Sequence, residues 1–166
     1  REIIRLLMNF GNTTLFVKHT DEFKEIKITV AEHVISEILN DELDFKNLIY
    51  KQVFEDYHQN LIKGNALDEK HFINHSNEKV CKLAADLLST SYEISKIWEK
   101  HGSYVETEEM KLKEIVPRCI LEFKNKIIQK AIEEIQQKIQ TLQKENNMGD
   151  ISEFQNRFKA LLELRK

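Results

Sequence analysis

Helix-breaking residues are scarce in this chain: 4 glycines and a single proline punctuate 166 residues. Tight β-turns and flexible linkers both draw on glycine and proline, so such a sequence favours long helical stretches over a sandwich, a collagen-like repeat or a tether. The glycines are also well placed. Gly11, Gly64, Gly102 and Gly149 each follow a segment of helical apolar spacing, where a glycine ends a helix. The expected fold is all-α.

Periodicity places the individual helices. Glu2–Phe10 gathers Ile3, Ile4, Leu6, Leu7 and Phe10 on one side and stops at Gly11. Residues 12 to 28 are the least regular. The β-branched patches Thr13–Val17 and Ile26–Thr29 there read as extended chain or a brief hairpin. Thr29-Val30-Ala31-Glu32 has the spacing of a capping box, in which hydroxyl and carboxylate each satisfy a free backbone N–H, and opens a helix to about Leu39. Asn47 is placed to cap the next helix, whose stripe is Leu48, Ile49, Val53, Phe54, Tyr57, Leu61 and Ile62, ending at Gly64. Asp68 caps a short turn through Phe72 and Ile73. Asn77 starts a helix with Val80, Leu83, Ala84, Leu87 and Leu88 inward. Ser91 precedes a further one, Tyr92–Lys100, with Ile94, Ile97 and Trp98 inward.

The last third differs in kind. Thr107 is placed to cap a helix running to about Glu145, roughly 55–60 Å at the ordinary rise. Pro117 removes one backbone bond inside it and predicts a kink or restart near residues 113 to 117. Beyond it Ile128, Ile132, Ile135, Ile139 and Leu142 recur at alternating steps of four and three, the spacing of a two-helix seam. After Asn146-Asn147-Met148-Gly149, a second capping box (Asp150–Glu153) opens a helix with Ile151, Phe154, Phe158 and Leu161 in the same rhythm. Two seams joined by a polar turn predict an antiparallel helical hairpin. The expected plan is a compact bundle of short helices over residues 1 to 106, a connecting part of the long helix over 107 to 125, and a hairpin over 126 to 166. Pro117 and Lys124-Asn125-Lys126 are the predicted bends.

Charge and composition then narrow the function. The chain carries 25 Lys/Arg against 28 Asp/Glu. A phosphate backbone is a poor partner for such a surface, and direct nucleic-acid binding is not expected. From Thr107 onward 12 basic residues face 10 acidic ones, so the excess of acid lies in the earlier part, which suits a protein partner better. No apolar run approaches the ~18–20 residues that cross a bilayer, and the first residues lack a signal-peptide pattern. A cytoplasmic protein is expected, and Arg1 in place of Met suggests a piece of a longer chain. Cys81 and Cys119 belong to no Cys-x-x-Cys pair and read as two buried free thiols.

Chemistry-bearing patterns are few. The sequence has no phosphate-cradling glycine loop, no nucleophile elbow and no His-Glu-x-x-His. Glu55-Asp56-Tyr57-His58 is a Glu-x-x-His that sets Glu55 and His58 on one helical face, and His71 and His75 lie four apart. These four define an alternative reading as a helical metalloprotein or metalloenzyme. Di-iron bundles need two such pairs on long helices, so a solvated face is the simpler expectation. Trp98 reads first as core and only second as a binding anchor.

One resemblance gives this architecture a function. His71-Phe72-Ile73-Asn74-His75, Leu83-Ala84-Ala85-Asp86-Leu87-Leu88-Ser89, Tyr92-Glu93-Ile94-Ser95-Lys96-Ile97-Trp98-Glu99-Lys100 and Tyr104-Val105-Glu106-Thr107 follow one another in order. With the opening Arg1-Glu2-Ile3-Ile4-Arg5-Leu6-Leu7, they resemble the C-terminal helicase-binding domain of bacterial DNA primases of the DnaG type, in the Bacteroides-like branch. The resemblance implies a helical bundle joined through a long helix to a terminal hairpin. It further implies docking on the N-terminal domains of the hexameric replicative helicase (DnaB type), recruiting primase to the replication fork and modulating both enzymes. No catalytic residue and no cofactor is expected in this fragment. Polymerase activity, zinc and magnesium would belong to upstream domains of the parent primase. Contacts would concentrate on the hairpin, at Ile151, Phe154, Phe158, Leu161, Leu162 and Arg165. A related possibility is the N-terminal domain of the helicase itself, which shares this architecture.

Overall fold

The computed structural model describes residues 1–19, 25–99, 107–144 and 151–164, with the side chains of 90–99, 144, 151, 152 and 164 left aside. The described residues are mostly helical, as expected, with one small two-stranded sheet. They fall into two compact units, Arg1–Ile120 and Leu121–Lys166.

In the first unit, α1 (Glu2–Phe10) buries Ile3, Ile4, Leu6, Leu7 and Met8. Gly11 follows it because space demands glycine there: a Cβ would lie 2.5 Å from the Leu7 carbonyl oxygen and 2.9 Å from the Tyr57 ring. The irregular segment resolves into a hairpin, β1 (Thr14–His19) antiparallel to β2 (Glu25–Thr29). Its register slips between Thr14 and Phe16, and this bulge turns Leu15 fully into the core. Phe16 meets the His33 ring edge-on at 5.2 Å.

α2 (Val30–Asn40) begins with the predicted capping box. Glu32 N–H donates to Thr29 Oγ1 at 3.2 Å, and Thr29 N–H donates to Glu32 Oε2 at 2.6 Å. Thr29→Ala is expected to cost about 0.5–2 kcal/mol in chemical denaturation. An unchanged midpoint would show the box to be idle.

Asn47 caps α3 (Leu48–Ile62) through two backbone N–H groups, and Asp68 caps the short α4 (Glu69–Ile73). Val53, Phe54 and Tyr57 of the expected α3 stripe are buried, but Leu48 and Ile62, at its two ends, are exposed. The predicted break at Ser91 does not occur: α5 runs unbroken over Glu78–Glu99. A serine in mid-helix weakens propensity only slightly, and with no glycine or proline nearby the helix continues. Trp98 lies on α5, its side chain outside the described residues, as are Gly102, Gly149 and the Asp150 cap.

Thr107 precedes a 3-10 turn (Glu108–Lys111) and makes no side-chain cap, so the long helix α6 begins at Leu112 and ends at Lys144. Pro117 lies inside α6, which stays helical through it and through Lys124–Lys126. One lost backbone bond near an N-terminus is tolerated where Leu112, Val116, Cys119 and Ile120 are all buried. That burial belongs to the first unit, which therefore reaches past residue 106 into the segment expected to act as a connector. Arg5 of α1 binds Glu108, with its Nη1 at 2.9 Å from Oε2, and also Glu2. Its guanidinium is held charged chiefly by Glu108, and Glu2 sits below the usual carboxylate range because of Arg5.

In the second unit, the remainder of α6 accompanies α7 (Ile151–Leu164). The seam is as predicted: Ile132 is buried and Ile128 half-buried, and Ile135, Ile139 and Leu142 are half-buried between exposed neighbours. Phe154 stands by Leu142 and Lys138, while Leu161 stands by Ala131 and Ile135, so the helices run antiparallel.

Candidate functional site

Among the described residues, two places gather chemistry. The first joins α3, α4 and the start of α5. The helix α3 turns about 100° per residue, so Asp56 faces α4 while its neighbour Glu55 points to solvent. Asp56, His71 and His75 bring one donor atom each to within 4.8 Å of one another. The expected quartet is thereby corrected: His71 and His75 do meet, but with Asp56, and Glu55 and His58 stand apart. His58 instead lies 6.5 Å, ring to ring, from Phe54. A residue 15 positions earlier in the sequence supplied the carboxylate, and no spacing rule could have pointed to it.

Proton placement decides what this cluster can do. Asn77 N–H donates to His75 Nδ1 at 3.0 Å, so that nitrogen carries a lone pair and Nε2 carries the ring proton. Nε2 faces the buried Asp56 Oδ2 at 3.1 Å, a close contact too misaligned for a full hydrogen bond. A metal taking Nε2 would need the proton on Nδ1, pointed at the Asn77 N–H. The donor set has the right elements in the wrong protonation pattern. Around it, Asn77 also donates to Gln52 Oε1 at 2.7 Å, and the Cys81 thiol donates to the His75 carbonyl at 2.9 Å. Cys81 is thus half-buried and hydrogen-bonded, while Cys119 is buried. The arrangement suits a polar joint that pins the start of α5 to α3. Dialysed protein is expected to hold far less than one equivalent of zinc, iron or manganese by plasma emission analysis. Stoichiometric metal lost on His75→Ala would contradict this.

Nearby, Tyr57 ties α3 to α1, its hydroxyl donating to the Leu7 carbonyl at 2.6 Å. Burial pushes its phenol above the ordinary value, with Glu69 and Asp68 adding to the shift, so it stays a neutral donor.

The second place is the face between α6 and α7. A groove of about 360 Å³ runs there, floored by Ala131, Ile135, Ala160 and Leu161, and a second opening of about 590 Å³ continues it past Leu142. Phe154 borders both, with the Lys138 ammonium 5.7 Å from its ring centre. Of the expected contact residues, Phe154 and Leu161 line this groove. Phe158 is half-buried elsewhere on α7, Leu162 is exposed, and Ile151 and Arg165 have side chains outside the described residues. Sequence reasoning did not single out Lys138 or Arg157, which also line the groove. Each lies within a helical turn of an apolar seam residue, Ile135 and Phe154 respectively, but that spacing alone does not set the two cations on one groove.

No helix of the described residues is long and apolar enough to cross a membrane. The molecule is a helical chain of two units, one with a polar joint and one with an open apolar groove. It belongs to the family described as Domain of unknown function (DUF8430), whose profile matches residues 1–166. No curated protein and no solved structure matches it.

Proposed function

We propose that this chain is a non-catalytic interaction module, the helicase-binding domain of a DnaG-type replicative primase in the cytoplasm. The supporting observation is the helical hairpin of the second unit, which keeps an apolar groove open along its seam. A two-helix hairpin cannot bury a full core alone, and a third helix supplied by a partner completes it. The resemblance carried by His71–His75, Leu83–Ser89 and Tyr92–Lys100 names that partner as the hexameric replicative helicase. The first unit, with its larger core and its ties at Arg5, Tyr57 and His75, would serve as the rigid body that passes docking on to helicase activity. Primer synthesis, with its zinc and magnesium, would reside in upstream domains of the parent primase. Mixing the chain with its cognate helicase and following co-elution on gel filtration tests the reading. The rival assignment as the helicase's own N-terminal domain predicts a self-associated ring of this chain alone.

A further inference from the structure

Resting on that docking function, the groove's own chemistry specifies what it accepts. Its floor is apolar, and the small side chains of Ala131 and Ala160 allow a backbone to approach closely. Three charged residues stand on its walls: Glu134, Lys138 and Arg157. Glu134 already has an interaction partner. Lys138 and Arg157 have no carboxylate within ion-pair distance among the described residues, and Lys138 meets only the Phe154 ring. Two unpaired cations thus flank an apolar slot, on opposite helices of the hairpin.

We propose that the groove seats an amphipathic helix of the partner bearing a carboxylate within one turn of its apolar anchor, and that Lys138 and Arg157 pair with that carboxylate. Apolar burial supplies the adhesion. The cations supply orientation and partner choice, because a neutral or basic residue in that position would leave them unpaired against a low-dielectric wall. Both cations are exposed on helix surfaces, so replacing them leaves the hairpin core untouched.

The test uses the intact chain and its cognate helicase, with affinity measured by calorimetry at low and high salt. Lys138→Glu with Arg157→Glu should weaken binding by about tenfold or more at low salt, and the salt dependence of the wild type should flatten or reverse. Lys138→Gln with Arg157→Gln should fall between. Ala160→Trp, which fills the slot without changing charge, should also weaken binding, with helicity retained by circular dichroism. A wild type that binds while all three variants bind equally well would overturn the groove and leave the docking function standing. Loss of binding in Ala160→Trp with no effect of charge would overturn the carboxylate pairing. A wild type that binds no helicase overturns both, as would preferential binding of a DNA oligonucleotide by the same two cations.

Discussion

Phe72→Ala is expected to remove about 3–5 kcal/mol from the stability of the first unit, a large share of the total for a domain of this size. Phe72 is fully buried and stacks on Tyr57 with ring centres 5.1 Å apart. It is also the sole buried residue of α4, a helix of 5 residues that has no independent stability. Losing the ring therefore removes both a packed volume and the anchor of an entire element. α4 bridges α1 and α5, and it carries His71 into the polar joint, so the loss spreads to three helices. Urea denaturation followed by circular dichroism should show a markedly earlier midpoint, with Phe72→Leu much milder. A midpoint shift worth under about 1 kcal/mol would mean that α4 is peripheral to the fold.

The contrast between α4 and the hairpin shows which parts of this molecule were legible in advance. Thr29, Asn47 and Asp68 were readable as caps because their task is local: a side chain closes on a backbone N–H two or three residues away. The seam on α6 was readable for the same reason, since a step of three or four fixes the face without reference to any partner. Other features depend on distant contacts. The Leu15 bulge forms because the core behind β1 has room for that side chain. α5 passes Ser91 because a lone serine, with no glycine or proline beside it, is too weak a signal to end a helix. Asp56 was passed over in favour of Glu55 because pairing rules reward His58 at three residues, while the fold rewards the face that meets His75. The groove was legible as a seam through Phe154 and Leu161, but its cations were not, since only the antiparallel pairing of α6 with α7 sets Lys138 opposite Arg157.

Removing residues 147 to 166 is the second large expected effect. The deletion strips α7 from the seam and leaves the apolar side of α6 without its companion. Helicase affinity should fall at least about 30-fold, the scale of losing an interface hot spot. The first unit should keep its own unfolding transition, because its buried residues all lie within Arg1–Ile120. Unchanged affinity would transfer docking to the bundle and detach the hairpin from function. The decisive measurement precedes any variant: sedimentation velocity of the intact chain mixed with its cognate hexameric helicase at micromolar concentrations. An interaction module predicts a single faster boundary containing both proteins, while the chain alone sediments without forming a ring. Two boundaries moving as each protein moves alone would contradict the assignment.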